Sequence, residues 1–168
     1  RENNTMDKLI FSKYSNERSK KLQIRTDILL SEDGQKHIVK RAASEEAVSH
    51  IDHMYSVYEK LSEIYDKNNI GVNVCHRLDE ASVEFEYVSG KTYEEILDEE
   101  LERKNYLKII DLIRDYKSKL IDVLPTTSFA VTKEFKEVFG DIDVGKRLDA
   151  TDIANIDMVF CNVVINDR

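Results

Sequence analysis

A long amphipathic segment between two groups of strand-like segments constrains the fold of this chain most. From Ser44 to Lys67, apolar residues recur at three- and four-residue spacing. This spacing predicts one helix of about six turns with a single apolar stripe. Ser44 is a good N-cap residue, and Glu45 and Glu46 in the first turn suit the helix dipole. The segments on either side of this helix then decide the fold class.

Short runs with near-alternating apolar and polar residues predict strands on both sides of the helix. An Asp33-Gly34 turn signal joins two of them as a hairpin, because Asp-Gly suits the positive φ angles of tight turns. The predicted strands are Leu9–Phe11, Leu22–Leu30, Lys36–Lys40, Val72–Cys75 and Val83–Val88. The order of elements is therefore three strands, the long helix and two more strands.

Two further helices are predicted after the strands. Thr92 and Glu95 form a capping-box pattern that begins a helix running to about Glu102. A second helix is expected over residues 105–124, and Pro125, the only proline, ends it.

The remaining C-terminal part is predicted to be an irregular stretch over residues 126–151 and a final strand, Val163–Ile165. The predicted fold class is therefore α+β. It comprises an antiparallel sheet of about five strands, one long helix packed on the sheet, and a helical segment.

Length and composition limit the classes of function. The chain has 168 residues, of which 41% are hydrophobic, so it can form one domain with a real core. Its formal net charge of −8 argues against a nucleic-acid or anionic-membrane partner, because both require a basic face. No apolar run approaches the length of a membrane span. Two cysteines are too few for a disulfide scaffold, so we expect reduced thiols in a cytoplasmic protein.

The C-terminal segment carries a spacing with a chemical meaning. Asp157 and Asn162 stand five residues apart, and an apolar run follows at once. In the catalytic loop of kinases, an Asp at this spacing accepts the proton of the substrate hydroxyl, and the Asn holds a metal ion on the ATP phosphates. Lys40, at the end of a predicted strand, has the matching upstream position. The alternatives are an ordinary strand-end lysine for Lys40 and a turn or cap residue for Asp157.

The order of elements resembles the N-lobe and upper C-lobe of a kinase. The segment Phe85–Leu97 resembles the hinge of bacterial kinase-like proteins related to aminoglycoside phosphotransferases and lipopolysaccharide kinases, and Asn155–Ile165 resembles their catalytic loop. Together with residues 16–18 and 135–140, these segments are most similar to kinase-like domains of bacterial surface-polysaccharide proteins, such as glycosyltransferases and methyltransferases. The resemblance spans most of residues 8–168.

This resemblance implies ATP and Mg²⁺ as cofactors, with Lys40 bound to the α and β phosphates. A glutamate on the long helix would hold Lys40. Glu59 is the favoured candidate and Glu63 the second, while a solvated helix glutamate is the alternative for Glu59.

The resemblance also places an adenine site and a catalytic site. Backbone groups near Glu86 and Val88 would meet an edge of the adenine. Asp157 would act as the catalytic base, and Asn162 would be a magnesium ligand.

The chain departs from the kinase pattern at three positions. The segment Tyr14–Ser19 contains no glycine, although backbone N–H groups cradle phosphate best where no side chain blocks them. Asn155-Ile156 precedes Asp157 in place of His-Arg or His-Gly. The second metal-binding Asp would lie beyond Arg168. We therefore expect these 168 residues alone to transfer phosphate poorly.

These features predict a single, incomplete kinase-like domain, with the N-lobe over residues 8–88 and the hinge and start of the C-lobe over residues 89–168. The expected function is the ATP-binding part of a bacterial surface-polysaccharide biosynthesis protein that phosphorylates a saccharide or small molecule. The alternative is a non-catalytic module that tethers or regulates a glycosyltransferase or methyltransferase. An incomplete domain should expose apolar surface, so self-association is also expected.

Neither the two helix histidines nor Cys161 is expected to be a metal ligand or a nucleophile. His50 and His53 lie one helical turn apart, but no third metal ligand has matching spacing, so solvated or capping histidines are expected. Cys161 has no nearby histidine to activate it, so a buried thiol is expected.

Overall fold

The computed structural model describes residues 7–68, 70–144, 147–155 and 157–165. The chain has an α+β architecture, as predicted, with a five-stranded antiparallel sheet in the spatial order β1-β2-β3-β5-β4. The strands of this sheet are β1 Lys8–Tyr14, β2 Ile24–Leu30, β3 Lys36–Ala42, β4 Cys75–Asp79 and β5 Ser82–Glu86.

The long helix follows β3 and precedes β4. It is α1, Val48–Asp66, and it continues from a 3₁₀ turn over Glu45–Ala47. Ser44 does not cap it, because the Ser44 hydroxyl donates to the backbone carbonyl of Lys20 at 3.2 Å. The expected N-cap is therefore replaced by a contact that fixes the start of α1 to the β1–β2 connection.

The two ends of α1 pack into different cores. Its first half lies on the sheet, where Ile51 is fully buried beside Val83 of β5. Its second half contributes Leu61 and Tyr65 to a second cluster with the later helices. Because one rigid helix joins the two clusters, it fixes the sheet relative to the C-terminal elements.

One strand differs from its prediction. The predicted strand Val72–Cys75 ends where β4 begins. The only buried residue of β4 is Cys75, so apolar alternation does not mark the strand. Its position is set by pairing of Cys75 with Phe85, and by a tight turn in which the Asp79 carboxylate accepts the N–H of Ala81 at 2.8 Å.

The C-terminal part contains three α-helices and four short strands in its described residues. The capping box is confirmed, because the Thr92 hydroxyl accepts the N–H of Glu95 at 3.1 Å and the Glu95 carboxylate accepts the N–H of Thr92 at 2.7 Å. The elements are β6 Lys91–Thr92, α2 Tyr93–Glu102, α3 Tyr106–Tyr116, β7 Thr127–Ser128, α4 Lys133–Phe139, β8 Asp149–Ala150 and β9 Val164–Ile165. β6 pairs with β9, and β7 with β8.

The predicted helix over residues 105–124 is not one continuous α-helix. α3 passes into a π-helical turn, Lys117–Ile121, in which the N–H of Asp122 reaches the carbonyl of Lys117 at 3.0 Å. The wider turn accompanies burial of Leu120 and Leu124 beside Tyr116 in the second cluster.

α4 lies within the stretch that was predicted to be irregular, so that prediction is wrong for Lys133–Phe139. The Thr132 hydroxyl caps the helix by accepting the N–H of Phe135 at 3.1 Å. Gly140 ends it with φ +76°, a conformation that glycine adopts without strain. No helix in the described part of the chain is long and apolar enough to cross a membrane.

Candidate functional site

Lys40 lies on a central strand and on the side of the sheet that α1 covers. In the register of β3, Lys40 is opposite Thr26 of β2 and Val83 of β5. Directly opposite residues share a face of the sheet, and Val83 belongs to the cluster beneath α1. The Nζ atom of Lys40 is 5.2 Å from the ring centroid of Phe85. The ammonium group therefore lies over the Phe85 ring, on the face of the sheet that α1 covers.

Asp157 lies near enough to Lys40 for its carboxylate to influence the pKa of the ammonium group. Burial lowers the pKa of Lys40, and the Asp157 carboxylate partly opposes this effect by favouring the charged ammonium. Arg18, in the β1–β2 connection, adds to the lowering of the Lys40 pKa. Two residues singled out from distant parts of the sequence thus share one electrostatic environment.

Asp157 and Asn162 are joined by a direct hydrogen bond. The Nδ2 atom of Asn162 donates to the backbone carbonyl of Asp157 at 2.8 Å. The backbone N–H of Asp157 is donated to Oδ1 of Asn155 at 3.1 Å, so the turn is fixed at both ends. The Asn162 amide nitrogen is used for this bond. Its Oδ1 atom has a weak described donor, the Cys161 thiol at 3.8 Å. The Oδ1 atom of Asn162 is therefore able to bind a cation.

An aromatic cluster packs against the Asp157–Asn162 turn. The rings of Tyr93, Tyr116 and Phe160 are in mutual contact, with the Tyr116 and Phe160 centroids 5.0 Å apart. The Tyr116 hydroxyl donates to the backbone carbonyl of Met158, the residue after Asp157. The Tyr65 hydroxyl donates to the Leu120 carbonyl at 2.9 Å, and its oxygen lies 3.2 Å from the Met158 sulfur. Sequence reasoning missed this support, since it assigned these aromatic side chains no role beside Asp157.

The far end of the turn is tied to the segment that follows β5. β9 follows Asn162 and pairs with β6, and the N–H of Tyr93 is donated to the carbonyl of Val163 at 2.8 Å. Gly90 makes this approach close, because a Cβ atom there would lie 2.6 Å from the Ile165 carbonyl oxygen and from a Val164 methyl group. Its φ of +151° also requires glycine. The hinge-like segment and the catalytic-loop-like segment are thus one connected unit.

The two backbone positions assigned to adenine differ in their hydrogen bonds. The N–H of Glu86 is donated to the Val74 carbonyl at 2.9 Å, which extends the sheet beyond β4. Val88 lies in the connection between β5 and β6 and forms no backbone hydrogen bond with another described residue. Val88 therefore differs from Glu86 in that its backbone groups have no backbone partner among the described residues.

The structure does not bring Glu59 to Lys40. The side of α1 that faces the sheet is occupied by Ile51, Met54, Tyr55 and Tyr58. Glu59 is exposed and acts on the Tyr55 hydroxyl, whose pKa it raises, and Glu63 is exposed as well. Within the described ranges, Lys40 forms no ion pair.

The protein oxygens near Asn162 are too few to bind Mg²⁺ alone, so the other ligands would have to be phosphates and water. Among the described residues, no group of three or more His, Cys, Asp or Glu side chains converges to hold a metal ion. Magnesium is often bound through one or two protein oxygens, with substrate phosphates and water filling the other positions. Asn162 Oδ1 could supply one such protein oxygen.

Two expectations about reactive side chains are wrong. Cys161 is exposed rather than buried, whereas Cys75 is the buried thiol, and burial raises its pKa to about 11. The Nε2 side of the His50 imidazole is not solvated, because this atom is shielded from solvent and has no hydrogen-bond partner among the described residues. His53 is exposed.

The chain was compared with known proteins in three ways. No family model matches it, and neither a curated protein nor a solved structure does. A proposed function therefore rests on the residue patterns and the geometry described above.

Proposed function

We propose that this chain is the ATP-binding part of a kinase-like domain from a bacterial cell-surface polysaccharide biosynthesis protein, of the lipopolysaccharide, O-antigen or capsule type. In the full-length protein, phosphate would pass to a saccharide or another small molecule. The observation that carries the proposal is the position of Lys40 on the α1 side of the sheet within the electrostatic reach of Asp157. The polysaccharide context rests on the sequence resemblance of the hinge-like and catalytic-loop-like segments.

Three further features support a phosphate-transfer geometry. The lysine is on the third strand, the position of the phosphate-binding lysine of kinases. The Asn162 amide is oriented by Asp157, which leaves an oxygen for a cation. The segment after β5 is tied to the Asp157–Asn162 turn through β6 and β9.

In this proposal, each residue has a separate task. Lys40 binds the phosphates of ATP, and backbone groups at Val88 contact the adenine edge. Asp157 accepts the proton of the acceptor hydroxyl as that oxygen attacks the terminal phosphorus. Asn162 holds Mg²⁺, which would neutralise charge on the phosphates when bound.

A second candidate is a non-catalytic module that tethers or regulates a glycosyltransferase or methyltransferase. Two observations favour it. The sheet-facing side of α1 presents apolar and tyrosine side chains where an active kinase has a glutamate for its lysine. The β1–β2 connection contains no glycine over residues 15–23.

Calorimetric titration with ATP, with and without Mg²⁺, separates the two candidates. We expect Mg²⁺-dependent binding that is lost in Lys40→Ala and retained in Asp157→Ala, because the lysine contacts phosphate whereas the aspartate acts on the acceptor. Lys36→Ala is the matched control, since Lys36 is exposed on the same strand and also lies over an aromatic ring, that of Tyr87. Absence of binding at millimolar ATP would favour the module.

We also propose that the chain self-associates through α3. Tyr106, Leu107 and Ile110 are exposed to 59%, 78% and 45% on this helix. Contiguous exposed apolar surface of this kind marks an interaction site in soluble proteins. Sedimentation equilibrium should show a dimer or larger species that Leu107→Glu dissociates, and a monomeric wild type would contradict the proposal.

A further inference from the structure

β1 is an edge strand of the five-stranded sheet, and among the described residues it pairs with β2 alone. The N–H of Ser15 is donated to the Ile24 carbonyl at 3.1 Å, so the residue pairs before it alternate between non-hydrogen-bonded and hydrogen-bonded ones. Ser12 and Tyr14 fall in the non-hydrogen-bonded pairs. Their backbone N–H and C=O groups therefore point to the free edge of the sheet, where a further strand can pair with them.

The side chains of β1 are exposed on both faces of the sheet. All seven residues of the strand are exposed, and Phe11 and Tyr14 are each about half accessible to solvent. The register places Phe11 opposite Ile28, on the face that α1 covers, and Tyr14 opposite Arg25, on the other face. A membrane-binding surface would present its apolar side chains on one face only. Apolar side chains on both faces of a free edge are instead what an added strand covers.

The free edge lies in a basic part of an acidic chain. Residues 8–23, which comprise β1 and the β1–β2 connection, contain five Lys or Arg residues and one Glu, a net charge of +4 in a chain of net charge −8. Lys8 and Lys13, on β1 itself, form no ion pair with another described residue. Arg25 adds a guanidinium group 5.6 Å from the centroid of the Tyr14 ring. Lys13 and Arg25 lie on opposite faces of the sheet, so an added strand would meet positive charge on both.

The lysines also decide against a second β1 strand as the occupant of this edge. Two β1 strands side by side would bring two Lys8 and two Lys13 side chains together, and lysine on an edge strand is a common means of preventing such pairing. An acidic strand gains attraction from the same side chains.

We propose that the free edge of β1 binds an extended, acidic segment of a partner polypeptide, which adds a sixth strand to the sheet. The backbone groups of Ser12 and Tyr14 pair with the added strand. Lys13 and Arg25 attract its acidic side chains, and Phe11 and Tyr14 pack against its apolar ones. This surface lies outside the proposed nucleotide site and does not depend on it.

The probe for this site is a labelled synthetic peptide of alternating glutamate and valine, about eight residues long, which is within the usual range of strand lengths. We expect it to bind to the wild type in a fluorescence anisotropy titration, and to bind more weakly at high salt, because salt screens the attraction between exposed charges. The corresponding peptide of lysine and valine should not bind. Equal binding of the two peptides would show that charge does not select the partner, and the proposal would fail.

Substitutions at Ser12 test the backbone pairing. Ser12→Pro removes an N–H that points to the free edge, a position where a strand tolerates proline. Ser12→Ala is the matched control, since both variants lose the hydroxyl that donates to Asp27 at 2.6 Å. We expect Ser12→Pro to weaken binding of the acidic peptide roughly tenfold or more relative to Ser12→Ala.

Lys13→Glu tests the charge, and it decides the question if urea unfolding shows that Ser12→Pro does not fold. Reversal of this charge should weaken binding of the acidic peptide roughly tenfold or more. Lys108→Glu is the control, because Lys108 is an exposed lysine on α3, away from the edge, and its substitution should leave binding unchanged.

The other outcomes contradict the proposal. These are absence of binding by the acidic peptide, and equal binding to the wild type, Lys13→Glu and folded Ser12→Pro. Binding of a single-stranded oligonucleotide or of phosphatidylserine vesicles in place of the peptide would assign the basic stretch to nucleic acid or to a membrane. A dimer that Ser12→Pro dissociates in sedimentation equilibrium would assign the edge to a second copy of the chain.

Discussion

Asn162 holds the backbone of Asp157 directly, with its Nδ2 atom 2.8 Å from the Asp157 carbonyl oxygen. One side chain therefore has two uses, since its nitrogen shapes the turn and its oxygen can face a cation. The five-residue spacing of the two residues brings them into hydrogen-bond contact across a single 3₁₀ turn, Phe160–Asn162.

Substitutions of Asn162 should separate these two uses. Asn162→Asp keeps an oxygen ligand but removes the N–H donor, and Asn162→Ala removes both. We expect each to lower the free energy of unfolding by about 1 kcal/mol, as is usual for a lost hydrogen bond. Only Asn162→Ala should abolish Mg²⁺-dependent ATP binding. Urea unfolding and calorimetry measure the two quantities.

Asn68→Ala is the control for the Asn162 variants. Asn68 donates to the Ile64 carbonyl at 2.8 Å at the end of α1, so it loses a comparable amide hydrogen bond. It should be destabilised similarly and bind ATP normally. Loss of ATP binding in Asn68→Ala would show that stability, rather than the Asn162 oxygen, determines binding.

Gly90→Ala should disrupt the connection between the hinge-like segment and the Asp157–Asn162 turn. A methyl group at Gly90 would collide with the Ile165 backbone, and the φ of +151° is strained for any other residue. We expect a loss of about 2 kcal/mol or more in the free energy of unfolding. Gly71→Ala should be nearly neutral, because no heavy atom of the described residues lies within 4 Å of the added Cβ. Equal stability of the two variants would show that β6 and β9 do not approach closely.

Lys40→Met should stabilise the protein while removing nucleotide binding. Burial lowers the Lys40 pKa, which means that the charged ammonium is disfavoured in its position between the sheet and α1. An apolar side chain of similar length avoids this cost, and we expect a gain of about 1 kcal/mol in the free energy of unfolding. Lys36→Met, at the exposed end of the same strand, should change neither quantity. A destabilised Lys40→Met protein would show that Lys40 is a structural residue.

We expect the free energy of unfolding to fall at alkaline pH, because three tyrosines packed near the Asp157–Asn162 turn have raised pKa values. Burial raises the pKa values of Tyr65, Tyr93 and Tyr116 above the ordinary value of 10.0. Between the unfolded and the folded pKa, the folded state keeps protons that the unfolded state has lost. The stability is therefore fully present below pH 10 and falls as the pH rises through the folded pKa values.

Urea unfolding at several pH values above and below 10 measures this effect. Tyr116→Phe should show a shallower fall above pH 10 than the wild type, because one of the three titrating groups is absent. Tyr106→Phe is the control, since Tyr106 is exposed to 59%. A fall in stability that is the same in all three proteins would contradict a role of the buried hydroxyl groups.

The sequence predicts the elements whose signals are local and long. The apolar stripe of α1 spans many turns, and the hairpin of β2 and β3 has a strong turn signal, so both lie close to their predicted positions. β4 was predicted too early in the chain, because its one buried residue is Cys75. α4 was predicted to be irregular, because seven residues give little periodicity.

The candidate site could be predicted only in part, for a different physical reason. Lys40, Asp157 and Asn162 carry recognisable chemistry at recognisable spacings. The support by Tyr116 depends on a contact between distant segments, which no local pattern encodes. Glu59 shows the converse, because its helix and the apolar stripe that faces the sheet were predicted, but Glu59 is exposed and interacts with Tyr55 rather than with Lys40.

Covalent labelling of Lys40 by an acyl phosphate of ATP tests the central claim most directly. This reagent transfers its acyl group to a lysine Nζ atom beside the nucleotide phosphates and releases ATP, and mass spectrometry identifies the labelled residue. We predict labelling of Lys40 that excess ATP suppresses, with Lys36 labelled weakly and independently of ATP. Labelling confined to exposed lysines and unaffected by ATP would contradict a nucleotide site between Lys40 and Asp157.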